Sequence, residues 1–117
     1  MTAQIGVRES EEHGVRVVSV DGELDLASAP KLCARLSCRY GGKLLVDLSD
    51  LEFCDSTGLR ALLGAAREVR ANGGRMALAC PPESGITRLL EVVGVREHLI
   101  VRDDVAAATK ALGAGPT

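Results

Sequence analysis

The chain has 117 residues, 46% of them apolar and 26% charged, with a formal net charge of −2. That suits a single soluble domain over residues 1–117 and argues against a nucleic-acid-binding surface, which needs clustered Lys and Arg. No apolar run approaches the ~18 residues of a membrane span, and Met1 to Ile5 lacks the basic-then-apolar order of a secretion signal, so the expected location is the cytoplasm, with no membrane partner.

Ile5 and Val7 alternate with polar residues, which predicts a first strand with one wet face. Glu11-Glu12-His13-Gly14 reads as a hairpin turn, and Val15 to Val20 as a second, more deeply buried strand. The first strand is therefore expected at a sheet edge, antiparallel to its neighbour. Asp21-Gly22-Glu23-Leu24-Asp25 reads as a polar loop. Its carboxylates could in principle hold a metal or form an acid/base pair, but their spacing favours a solvated turn. Ser28 is placed to cap a helix with Pro30 in its first turn. Leu32, Cys33, Leu36 and Tyr40 form that helix's inner face, and Gly41-Gly42 ends it.

Leu44 to Leu48 is a nearly unbroken apolar run, as expected of a strand buried on both faces. A loop is expected over Ser49 to Cys54, followed by Asp55-Ser56-Thr57-Gly58. Leu59, Leu62, Leu63, Ala66 and Val69 then recur at helical spacing, with Arg60, Arg67, Glu68 and Arg70 between them. Asn72-Gly73-Gly74 stops the helix. Asp55, Ser56 and Thr57 are all good N-caps, and on local chemistry alone a cap is the simplest role for them. The junction also offers free N–H groups and a partial positive charge, so a phosphate on an exposed serine there would not melt the helix.

Arg75 to Cys80 predicts another strand, ended by Pro81-Pro82. Glu83 or Ser84 opens a short helix with Ile86, Leu89, Leu90 and Val93 inward, closed by Gly94. His98 to Val101 predicts a last short strand. Asp103 or Asp104 caps a final helix from Val105 to Leu112, and residues 113–117 read as a frayed tail.

The residues offer little for catalysis. Cys33, Cys38, Cys54 and Cys80 form no C-x-x-C pair, so free thiols are expected and no metal site. Ser56 has Cys54 where a nucleophile elbow needs its first glycine, although His98 and Asp103 could complete a triad in space. Gly42-Lys43 is followed by Leu44 and position 37 is Ser, so no phosphate-binding P-loop is present.

Val46-Asp47-Leu48-Ser49, then Phe53-Cys54-Asp55-Ser56-Thr57-Gly58-Leu59 and Leu62-Leu63, resembles the signature of the STAS domain, and more narrowly the bacterial anti-sigma factor antagonists. Gly22-Glu23-Leu24-Asp25 resembles that family's Gly-x-Leu-Asp turn. Cys54 departs from it, standing where a larger apolar residue is usual. The first helix is about one turn shorter than usual for the family.

The resemblance implies an α/β fold, a mixed sheet of about five strands with about four helices mainly on one face. It implies phosphorylation on Ser56, with Asp55 and Thr57 capping the helix and Gly58 allowing another backbone close. Glu23, Asp25, Asp55, Thr57, Gly58, Arg60, Arg88 and Glu91 are the implied partner-binding residues. The implied partners are an anti-sigma factor serine kinase of the histidine-kinase-like ATPase superfamily, which brings the ATP and Mg, and a serine phosphatase. The chain itself would need no cofactor and be a monomer or weak dimer. The alternative is a constitutive STAS interaction module, such as a lipid-transport subunit or stress-signalling scaffold, in which Ser56 only caps or contacts. A small hydrolase is the third reading.

Overall fold

His13 and Gly14 both have positive φ, 53° and 78°, the requirement of a two-residue hairpin turn that follows the natural twist of its strands. The turn joins β1 (Ile5–Glu12) to β2 (Val15–Leu24), which pair antiparallel from Glu12↔Val15 to Ile5↔Gly22. The structure is a computed structural model and describes residues 5–36, 42–88 and 99–113. In it β3 (Lys43–Cys54), β4 (Arg75–Ala79) and β5 (Ile100–Arg102) continue the sheet in the order β1-β2-β3-β4-β5. Every pairing after the hairpin is parallel, so the sheet is mixed, with β1 at one edge as expected.

The alternation of side chains divides the core in two. Val18 and Val20 from β2, Leu44, Val46 and Leu48 from β3, and Met76, Leu78 and Cys80 face one side. There they meet Leu32 and Leu36 of α1 (Ala29–Leu36), Leu59, Leu62 and Val69 of α2 (Ser56–Ala71), and Ile86. Val15, Val17, Leu45, Ala77 and Ala79 face the other side and pack on Ala108 and Leu112 around α3 (Val105–Ala111). Three of these contact positions are alanines, which lets α3 lie close to the sheet. Leu44, Leu45 and Val46 are wholly buried, as the apolar run predicted, because helices cover both faces there.

Several boundaries differ from the sequence expectation. Ser49 to Cys54, expected as a loop, continues β3, and Asp21 to Leu24, expected as a turn, continues β2. The two extensions pair with each other, up to Leu24↔Cys54, with register shifts between Ser19 and Asp21 and between Gly22 and Glu23. At each shift β3 carries one residue more than β2, the mark of a β-bulge, which bends a strand. At the first, Asp47 Oδ1 accepts from the Ser49 N–H at 3.0 Å and from its hydroxyl at 2.6 Å. Both segments are polar and one contains a glycine, so their composition reads as loop, while their pairing with each other keeps them extended.

The fourth strand stops at Ala79 rather than Cys80, and the last runs Ile100–Arg102, one residue beyond the expected end. Gly113, expected in the tail, closes α3: its φ is 76°, its N–H donates to Lys110, and Lys43 Nζ donates to its carbonyl. Tyr40, Gly41, Leu89, Leu90, Glu91, Val93, Gly94 and His98 lie outside the described residues.

Candidate functional site

Three chain segments meet at the carboxyl edge of the sheet: the end of β2, the end of β3 with the start of α2, and residues 81–88. In open α/β sheets this edge is where ligands and partners are met.

Asp55 is the N-cap of α2. Its backbone is extended, with φ −98° and ψ −178°, and its Oδ1 accepts from the Gly58 N–H at 2.8 Å. Of the three cap candidates, only Asp55 takes this part. Ser56 is therefore the first residue of the helix, exposed, with its hydroxyl outside the capping bonds. Thr57 is half-buried beside it. The Asp55 N–H donates to the Leu24 carbonyl at 3.2 Å, which ties the helix start to the end of β2. Gly58 is buried, and the backbone it approaches is that of Leu24 in this same chain. A Cβ at position 58 would come to 2.6 Å from the Leu24 carbonyl oxygen.

Beyond Leu24 the chain turns on itself. Asp25 Oδ1 accepts from the N–H groups of Ala27 and Ser28, at 3.0 and 3.1 Å. The Ser28 hydroxyl accepts from the Asp25 N–H at 2.9 Å and donates to the Glu23 carbonyl at 2.7 Å. Ser28 is wholly buried, so this reciprocal pair holds the turn that leads into α1. Asp25 is engaged inside the turn, whereas Glu23 is exposed. The turn lifts Leu26 into solvent at 73% exposure, and Phe53 stands out from the neighbouring strand at 52%. These are the exposed large apolar side chains of the described residues, and both border the Ser56 junction. The sequence expectation did not single them out. The signal was present, since Phe53 is the only Phe in a chain poor in aromatics.

A groove of about 390 Å³ runs beside Phe53, lined by Leu51, Glu52, Cys54, Ser84, Ile86 and Arg88 among others. Its far wall is shaped by Ser84, whose hydroxyl accepts from the Thr87 N–H at 3.3 Å as residues 85–88 turn helical. Arg88 is exposed on this wall, and Arg60 is exposed on α2. Burial, and then the Asp55 carboxylate, push the Cys54 thiol up to about 11. Burial, then Cys54 and Asp47, push Cys80 up to about 12. Among the described residues no three His, Cys, Asp or Glu side chains converge as a metal ion would require.

The arrangement thus presents an exposed hydroxyl, two apolar side chains, two arginines and a shallow groove on one edge. No described helix is long and apolar enough to cross a membrane.

Comparison with known proteins bears on the family and the fold. The STAS domain family model matches residues 7–108. An anti-sigma-B factor antagonist from Bacillus subtilis (strain 168) is 30% identical over 99 residues, covering 83% of this chain and 88% of that protein. The crystal structure of an anti-sigma factor antagonist from Mycobacterium paratuberculosis superposes with a TM-score of 0.78 at 25% identity, over 97% of this chain and 99% of that one. The Bacillus cell fate determinant SpoIIAA in its phosphorylated form shares the fold, with a TM-score of 0.66 at 22% identity over 91% of this chain and 99% of that one.

Proposed function

Since the chain belongs to the STAS domain family, among the anti-sigma factor antagonists, we propose that it is a protein switch thrown by a phosphate on Ser56. Unphosphorylated, it binds an anti-sigma factor that is also a serine kinase of the histidine-kinase-like ATPase superfamily, and so frees a sigma factor. The kinase, with its own ATP and Mg, moves the γ-phosphoryl group to Ser56 Oγ. ADP leaves, and the serine proton passes to a base of the kinase. The complex then separates, and a serine phosphatase restores the hydroxyl. The chain acts in the cytoplasm, as a monomer or weak dimer, and is a substrate rather than an enzyme.

One observation carries this reading: Asp55 makes the cap alone, so the Ser56 hydroxyl is exposed at the helix start and uncommitted to holding it. A phosphate there gains from the free N–H groups of the first turn. It adds about −1.5 to −2 charges to the surface, and burying it unpaired in an interface opposes binding. A loss of ~3 kcal/mol changes affinity by roughly two powers of ten. That a structurally similar Bacillus protein occurs in a phosphorylated form supports the reading. Glu23, Thr57, Arg60, Arg88 and Glu91 are the proposed contact residues, with Leu26 and Phe53 as apolar anchors. Asp25, Asp55 and Gly58 act by shaping the surface from within.

The test is intact mass of the protein from its own cells, with Ser56→Ala alongside. A phosphate-sized increment in wild type that is absent from the variant supports the switch. Should no growth condition or stress yield the increment, the constitutive interaction module becomes the better reading.

A further inference from the structure

We propose that Arg60 clasps the phosphate on Ser56, so that modification withdraws a cation from the binding surface as it adds an anion. The inference rests on Ser56 being the acceptor. Ser56 and Arg60 are both exposed on α2, and positions i and i+4 of a helix are neighbours about 6 Å apart at Cβ. The order is the favourable one, with the anion towards the N-terminus and the cation one turn after it.

Two further observations support the pairing. The first turn of α2 contains no acidic residue. Arg60 thus stands near the positive end of the helix dipole with only the Asp55 carboxylate ahead of it, and an oxygen of that carboxylate is bonded to Gly58. Among the described residues Arg60 makes no ion pair or side-chain hydrogen bond, so no existing contact must break. A guanidinium matches phosphate oxygens in a two-pronged geometry.

The pairing gives the switch two parts. In the unmodified protein Arg60 is an exposed cation on the proposed binding surface. After phosphorylation it is turned back on its own helix, and the surface presents the phosphate in its place.

The test is 31P NMR titration of protein carrying phosphoserine installed at position 56, compared with the same protein bearing Arg60→Gln. Glu23, Asp25, Asp50, Glu52, Asp55, Glu83 and Arg88, the other charged groups of the segments that meet at this edge, are common to both. The expected result is a second phosphate pKa roughly 0.3 of a pH unit lower with Arg60 present, the difference shrinking in 1 M salt as the charges are screened. Equal values at low salt would overturn the pairing. Because the phosphate is installed directly, this failure is separate from a failure of cells to phosphorylate Ser56, which would remove the switch itself.

Discussion

Gly58 lies against the carbonyl of Leu24, so close that a Cβ would stand 2.6 Å from the oxygen and 2.7 Å from the Leu24 Cγ. The same carbonyl accepts the N–H of Asp55. The first turn of α2 is thereby seated on the last residue of β2, and the exposed face of Ser56 is aimed by a contact buried beneath it. Gly58→Ala must push backbone from backbone, and overpacking of this kind costs about 1–3 kcal/mol. A lowered urea midpoint with an unchanged m-value is expected. A midpoint equal to wild type would show that the contact yields freely.

Ser28→Ala tests the turn on the other side of the site. Its hydroxyl serves both the Glu23 carbonyl and the Asp25 N–H in a fully buried position. Removing it leaves both without that partner, at a cost of about 1–3 kcal/mol. Denaturant unfolding should show the loss, and Ser28→Thr, which keeps the hydroxyl, should recover part of it.

Phe53→Ala and Leu26→Ala separate binding from folding. Both side chains are largely in solvent, so melting temperatures should stay close to wild type. An exposed aromatic that becomes an interface anchor commonly contributes about 1 kcal/mol or more. Calorimetric titration with the anti-sigma factor should therefore give a weakened Kd, more for Phe53 than for Leu26. Unaltered affinity in both variants would place the interface elsewhere.

Glu9 provides a pH-dependent prediction away from the site. Hydrogen bonds from Arg16, then from Arg35, hold its carboxyl below the usual glutamate range. Arg16 also donates to the carbonyls of Arg35 and Leu36 at the end of α1, at 2.6 and 3.0 Å, so the pair joins the hairpin to the helix. A depressed carboxyl stabilises the fold above its unfolded pKa, and that contribution disappears as pH falls through the lower folded value. The melting-temperature gap between wild type and Glu9→Gln should be constant at neutral pH and close below roughly pH 4. A gap that persists in acid would mean the ionised carboxyl is not its source.

The sequence was most informative where a single local rule decides the outcome. The His13-Gly14 turn, the buried run at Leu44 and the helix with apolar positions from Leu59 to Val69 were all legible, because turn chemistry and periodicity leave little choice there. The extensions of β2 and β3 were not. Asp21-Gly22-Glu23 and Ser49-Asp50 are compositionally loop-like, and only their pairing with each other keeps them extended. The choice of Asp55 as the cap could not be made among three suitable neighbours. Nor could Gly58's reason be read from its own segment, since the oxygen it avoids belongs to Leu24, far off in the chain. Exposure of Phe53 likewise depends on which way the bulged β3 turns its side chains, and that of Leu26 on the turn that follows β2.

The bulges of β3 have a mechanical consequence. β4 pairs with β3 only as far as Asp47↔Ala79, so Ser49 to Cys54 project past it, with β2 as their paired strand among the described residues. A ribbon joined on one side opens at lower free energy than the closed sheet behind it. Backbone amides of this projection should exchange with solvent ahead of those in Leu44 to Val46. The part of the sheet next to Ser56 is thus expected to open locally before the closed part behind it does, which leaves the core over Leu44 to Val46 intact.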